Sequence, residues 1–345
     1  MLRQRILNRY TQRRVLPLTL SLERGHVLLT KTTTRMEDDK RLFPEATIVD
    51  VRPQAAYLQR HIKGSVSFEL ATLGVGGGDD TRATELPSRS WPNVLKVMGS
   101  NPDETRLGLD WLETRGWKVN REDSRSETEV DWDELELNDL VERGASMCRF
   151  WRASPPLERR CGGVEALLRE TFPERKERWV LDLGCGSGRD AVFLAMRGWH
   201  VLAVDREEPF LQKLESFAAR QNVSHLITTR IADLRPQFLN KNLGEILTET
   251  RFDMIHMSRF MNRPLLNYLV HNLPKHSFLA IHHFLVGAQS RHGKPFRQGA
   301  EQTLRPGELA SEWFTLPRFQ VLMDEESALA DGRPVVNFIC RRQLG

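Results

Sequence analysis

The sequence predicts an α/β protein built in two parts, and three observations carry that expectation. From about residue 145 onward, short apolar runs alternate with amphipathic stretches. This is the pattern of a mostly parallel sheet with helices on both faces. Within it, "WVLDLGCGSGRDAVFLAMRGWHVLAVD", Trp179 to Asp205, packs three glycines into five residues between two acids. A second strand–loop–helix region runs from about Thr47 to Val119, set apart by a stretch dense in acids. A chain of 345 residues with 40% apolar content can bury two cores.

Residues 1–35 are basic. Arginines and a lysine recur from Arg3 to Arg35 among Ser and Thr, against a single acid, Glu23. That composition fits an organelle transit peptide, most simply a mitochondrial one, with an ordinary basic arm on a cytoplasmic protein as the alternative. Residues 36–120 form the first domain, whose pattern from about Thr47 to Val119 is strand, loop and helix. "NREDSRSETEVDWDELELNDLVERG" follows; residues 121–144 read as an acidic linker with a short helix.

Residues 145–345 carry the longer pattern. Its expected strands are Trp179–Leu183, "HVLAVD", "HLITTRIAD", "FDMIHM", "SFLAIHHFLV", "FQVLM" and "VVNFIC". Its expected helices are Arg189–Arg197, "PFLQKLESFAARQ", "PLLNYLVHNL" and "PGELASEWF". Ligands of such sheets sit at the carboxyl ends of the strands. No apolar run approaches the roughly 18 residues that a bilayer requires, so no membrane association is expected. The four cysteines, Cys148, Cys161, Cys185 and Cys340, form no C-x-x-C pair, and neither a metal site nor a disulfide is expected. The net charge of +4 is mild and does not by itself point to nucleic acid.

The glycine loop can be read by elimination. Gly184, Gly186 and Gly188 give G-x-G-x-G, with Arg189 standing where nicotinamide enzymes place a third glycine. A P-loop would need Lys followed by Ser or Thr, which is absent. What remains is a loop without a residue dedicated to phosphate, whose glycines admit close backbone approach by a ligand. Asp182 can accept from a ligand ammonium or order the loop, and Asp205 ends the next strand in position to accept from a ribose.

"VLDLGCGSG", a strand ending in Asp205 and the later "IADL" together resemble the motifs of class I S-adenosylmethionine-dependent methyltransferases. The resemblance implies a seven-stranded Rossmann-like sheet and S-adenosylmethionine as cofactor. It places Asp182, Gly184, Cys185, Gly186, Gly188, Asp205, Arg206, Asp233, Leu234 and Met257 at that cofactor, with Asp233 toward the adenine amine. "RFWRASPPLE", "SRFMNRPLL" and "HHFLVGAQSRHGKPF" are similar to a tellurite-resistance-type, small-molecule subgroup. In that subgroup "HHF" usually reads Glu-Thr-Phe, so His282 and His283 depart from it.

"TIVDVRPQAAYLQRHIKGSVSFEL" resembles the entry segment of rhodanese-like domains, matching at Asp50, Arg52, Tyr57, His61, Ile62 and Gly64. Sulfur transfer needs a thiolate. The family's Cys position falls near Met98 or Gly99, and no Cys precedes Cys148. The module is therefore expected to lack sulfurtransferase activity and to serve protein contacts.

Among individual residues, Arg259, His282 and His283 are the catalytic candidates, since they end the fourth and fifth expected strands. Arg263 is open between anchoring an anionic substrate and a structural ion pair. Trp151 and Arg152 are candidates for a lid. His256 reads as a satisfied core residue and Cys185 as a small residue under the cofactor. The expected reaction is methyl transfer to a small molecule, with thiol or chalcogen compounds favoured by the resemblance. RNA is the alternative acceptor, and a cofactor-binding scaffold in an organellar ribonucleoprotein the alternative to an enzyme.

Overall fold

The structure is a computed structural model and describes residues 47–73, 85–87, 94–144, 146, 148–288, 302–329 and 331–343. The basic segment 1–35 read as a transit peptide lies outside these residues.

The first part comprises β1 (Ile48–Asp50), α1 (Gln54–Gln59), β2 (His61–Ile62), β3 (Ser65–Ser67), β4 (Lys96–Gly99) and α2 (Pro102–Thr114). It continues through β5 (Arg125–Ser126), α3 (Trp132–Leu137) and β6 (Val141–Glu142). A parallel sheet in the order β3-β1-β4-β5 forms its centre, and β2 pairs with β6. Asn101 caps α2 by accepting from Glu104 N–H at 3.0 Å, with Pro102 in the first turn, where its missing N–H is not needed. The resemblance residues organise this part. Arg52, fully buried, donates to both Asp50 carboxylate oxygens and to the Arg60 carbonyl. Tyr57 stacks on His61 at 4.0 Å and donates to the Ser65 carbonyl.

Residues 121–144, which the sequence reading treats as a linker, carry β5, α3 and β6 and are folded onto this sheet. Several of their acids have basic partners elsewhere in this part. Glu127 pairs with Arg52 at 3.1 Å, Asp123 with Lys96 at 3.0 Å and Asp139 with Lys63 at 2.7 Å. Trp132 is buried beneath two guanidinium groups, Arg60 at 4.4 Å and Arg52 at 5.4 Å from its ring.

The second part runs α4 (Pro155–Thr171), β7 (Trp179–Leu183), α5 (Arg189–Met196), β8 (His200–Asp205), α6 (Glu208–Arg220) and β9 (Ile227–Ile231). It then runs α7 (Pro236–Glu249), β10 (Met254–Ser258), α8 (Arg263–Asn272), β11 (Phe278–Phe284), β12 (Phe319–Ala328) and β13 (Pro334–Arg342). The seven strands lie in the order β12-β13-β11-β10-β7-β8-β9, with β13 antiparallel to both neighbours and the others parallel. The expected α/β class and seven-stranded sheet are therefore present. Strand order reverses between β7 and β10, which places the ligand crevice at their carboxyl ends.

Alternation along β7 explains both layers. Leu181 and Leu183 join the cluster under α7 and α8, whereas Val180 joins the one under α4, α5 and α6. Helices α4 and α7 were not anticipated. Their signals are Leu157, Cys161, Val164 and Leu168 in one, and Leu239, Leu243 and Ile246 in the other, all buried at helical spacing. The expected helix near residue 309 is a single π-helical turn, Leu309–Trp313.

The two parts share the segment before α4. Cys148 and Phe150 are buried in the first core, whereas Trp151 and Ala153 are buried in the second. Removing the Trp132 ring should cost about 3–5 kcal/mol, as for other large-to-small core changes. Urea unfolding of Trp132→Ala measures this, and limited proteolysis should cut within 121–144 in the variant but not in the parent protein.

Candidate active site

The glycine loop connects β7 to α5, and each of its glycines has positive φ. A Cβ on Gly184 would lie 2.3 Å from the Phe260 ring, and one on Gly188 would lie 2.2 Å from Leu214 Cγ. Both positions therefore exclude side chains. Gly186 has nothing within 4 Å of a Cβ position and leaves the loop open there. Gly186 N–H donates to Asp205 Oδ2 at 2.9 Å, and Glu207 N–H to Asp205 Oδ1 at 3.0 Å. Asp205 thus ties the loop to β8 while each oxygen retains accepting capacity. Cys185 is half-buried, and burial pushes its thiol well above the usual range, so it is no nucleophile.

Beneath the loop lies a buried polar layer. Asp182 is 2% exposed; its Oδ1 is 2.8 Å from His256 Nδ1, while its buried Oδ2 has no partner. Parallel register sets this contact, since His256 is the β10 partner of Asp182. On the other side of the ring, Nε2 lies 3.2 Å from Ser154 Oγ and 3.6 Å from Asp190 Oδ2. Ser154 N–H donates to Asp190 Oδ1 at 2.7 Å. Burial opposes charging His256, yet Asp182, with Asp190 behind it, outweighs this and raises its pKa above the ordinary 6.5. Burial also opposes ionising Asp190, but Arg189, His256 and the Ser154 N–H hold it well below the usual carboxylate range.

The two candidate histidines diverge because neighbours on a strand face opposite ways. His282 Nδ1 meets Asn337 Oδ1 at 2.9 Å, and Asn337 Nδ2 donates to Ser327 Oγ at 2.8 Å. The Asn337 carbonyl therefore selects the Nδ1–H tautomer of His282 and leaves Nε2 able to accept. Burial lowers His282 to about 4, so the ring is neutral at pH 7. His283 donates from Nε2 to the Gln302 carbonyl at 2.8 Å, on the opposite face, and burial lowers it to about 4 as well. Ser258, the β10 partner of His282, presents a buried hydroxyl with no partner.

Other predicted positions distribute as follows. Arg259 is exposed with φ of 54°, and its N–H donates to the His282 carbonyl at 2.7 Å. Met257 and Leu234 are buried in the core layer under α7 and α8. Asp233 is held by Arg235 through Oδ2 at 2.8 Å and Oδ1 at 2.9 Å. Arg206 is exposed and paired with Glu207 at 2.8 Å. Arg263 pairs with buried Glu308, whose carboxyl stays at about 2 despite burial because Arg263 and the Arg305 N–H hold its anion. Its role is structural. Trp151 packs edge-on against Phe217 at 5.1 Å and is a core residue, not a lid. Sequence reasoning missed Ser154, Asp190 and Asn337. Asn337 had a signal, as the one polar residue within the apolar run "VVNFIC".

Comparison with known proteins accords with this geometry. A family model described as tellurite resistance protein TehB matches residues 174–320, and a rhodanese-like domain model matches residues 31–106. Residues 174–320 are a TehB-type methyltransferase domain. The chain thus carries a methyltransferase domain of this type with a rhodanese-like domain ahead of it. An uncharacterized protein of Schizosaccharomyces pombe is 26% identical over 84% of this chain and 92% of its own length. A probable S-adenosyl-L-methionine-dependent methyltransferase, TehB of Haemophilus influenzae, is 27% identical over 34% of this chain and 38% of its own length.

In the rhodanese-like domain, Met98 and Gly99 end β4, the two positions near which the nucleophile is expected, and Gly99 is the tighter of them. A Cβ there would lie 2.6 Å from Thr105 N and 2.7 Å from Thr105 Oγ1. Gly99→Cys should therefore cost about 1–3 kcal/mol by overpacking. It should also confer no transfer of sulfur from thiosulfate to cyanide; urea unfolding and that assay check both outcomes.

The raised pKa of His256 implies a pH dependence of known sign. Stability from this group is fully present below pH 6.5 and is lost as pH rises through the elevated native value. Thermal unfolding between pH 6 and 9 should show that decline, and His256→Gln should flatten it.

Proposed function

We propose that this chain transfers a methyl group from S-adenosylmethionine to a small-molecule acceptor. The observation that carries the reading is the glycine loop itself: open at Gly186, braced by Asp205, and underlain by a buried carboxylate oxygen of Asp182 with no partner. Such an oxygen is costly unless a ligand donor reaches it, and the ammonium of a methionine moiety is such a donor. The remaining lone pairs of Asp205 suit ribose hydroxyls. These residues fit the cofactor.

Bound there, S-adenosylmethionine would supply a methyl group already activated by its sulfonium. The chain's task is then to hold acceptor and donor in line. On the acceptor side, His282 offers a neutral Nε2 that can accept a hydrogen bond from a thiol, selenol or similar X–H group, with the Ser258 hydroxyl beside it. Both groups are recessed at the ends of β10 and β11, which supports a compact acceptor over a duplex.

Loss of the Asp205 contacts should weaken S-adenosylmethionine binding by about 2–4 kcal/mol, taking each bond to a charged acceptor at roughly 1.5–3 kcal/mol. Calorimetry on Asp205→Ala measures it, and unchanged affinity would place the ribose elsewhere. Methyl-labelled cofactor incubated with fractionated metabolites and RNA tests the acceptor. Label in a small-molecule fraction is expected; label in RNA, or in neither, would overturn the reading.

A further inference from the structure

The amino-terminal edge of the large sheet carries a second site, unrelated to the glycine loop. A cavity of about 160 Å³ opens there, lined by Arg169, Phe172, Arg175, Lys176, Arg178 and Asp253 among others. Arg178 immediately precedes β7 and Asp253 immediately precedes β10. The cavity therefore sits one strand length from the crevice, roughly 16 Å at about 3.3 Å per residue.

The charges do not cancel. Asp253 is spent on Arg175 and on the Trp179 N–H at 3.0 Å. Arg178 faces Glu165 at 3.6 Å and donates to the Arg197 carbonyl at 3.1 Å. Among the described residues, Arg169 and Lys176 have no acidic partner, and both are exposed at the rim. Phe172 lies between two guanidinium groups, Arg175 at 4.0 Å and Arg251 at 4.9 Å from its ring, with His276 edge-on at 5.7 Å. The surplus charge also registers on His276. Burial, together with the charges of Arg341, Arg251 and Lys275, holds it below its ordinary value.

We propose that this cavity binds a phosphate group, held between Arg169 and Lys176 at its rim. Guanidinium planes match tetrahedral oxyanions in bidentate fashion, and a lysine adds a mobile point charge. A space of about 160 Å³ is large enough to admit a phosphate-sized anion. The methyl donor carries no phosphate, so this ligand is distinct from the cofactor and the inference stands apart from the reading above.

Calorimetry on the full chain, without S-adenosylmethionine, tests it with inorganic phosphate and a nucleoside 5′-monophosphate as separate arms. Sodium chloride at matched ionic strength is the control. Saturable binding is expected, at least tenfold weaker in the double variant Arg169→Gln, Lys176→Gln. These rim changes should leave the thermal midpoint unaltered without ligand. Equal affinity in both arms assigns the free ion, and tighter binding of the ester assigns a phosphomonoester. Absence of heat beyond the chloride control, or undiminished affinity in the double variant, would overturn the proposal.

Discussion

One imidazole shared between two buried carboxylates sets much of the second domain. Asp182 and Asp190 are each nearly inaccessible to water, and His256 lies between them. Buried charges of one sign are tolerated only when compensated, so the β7–β10 register and the approach of α5 must bring the ring to both. Ser154 completes the arrangement, with its N–H on Asp190 and its hydroxyl at His256 Nε2. The loop above inherits its position from that layer and from the clasp of Asp205 on Gly186.

The segment leading to Ser154 also joins the rhodanese-like domain to the second one. The chain entering α4 alternates between two cores, Phe150 in one and Trp151 in the other, before Ser154 reaches the buried imidazole. Arg149 reinforces the junction by pairing with Glu158 at 2.9 Å while covering Trp151 and Phe193. A second tie joins Arg220 of α6 to buried Glu85. The first domain is thereby packed against the segment that leads to Ser154 and α4.

The two edges of the large sheet differ in chemistry. At the carboxyl edge, Asp182 and Asp205 surround the glycine loop and His282 stands as a neutral imidazole. At the amino edge, cations exceed acids around Phe172. Parallel strands separate these environments by the strand length.

Sequence alone determined the features that depend on near neighbours. The G-x-G-x-G turn, the acids at the ends of β7 and β8, the strand–helix alternation and the missing nucleophile are local in the chain, and all were legible there. Tertiary structure alone decided the pairings. The acids of 121–144 look like a solvated run until Lys63, Lys96 and Arg52 are seen opposite them. His282 and His283 are indistinguishable in sequence, and only strand direction separates the one beside Asn337 from the one facing Gln302. The bond from Ser154 to His256 spans 102 positions. No local pattern encodes such a contact, because it arises from sheet register and helix packing that the whole chain fixes together.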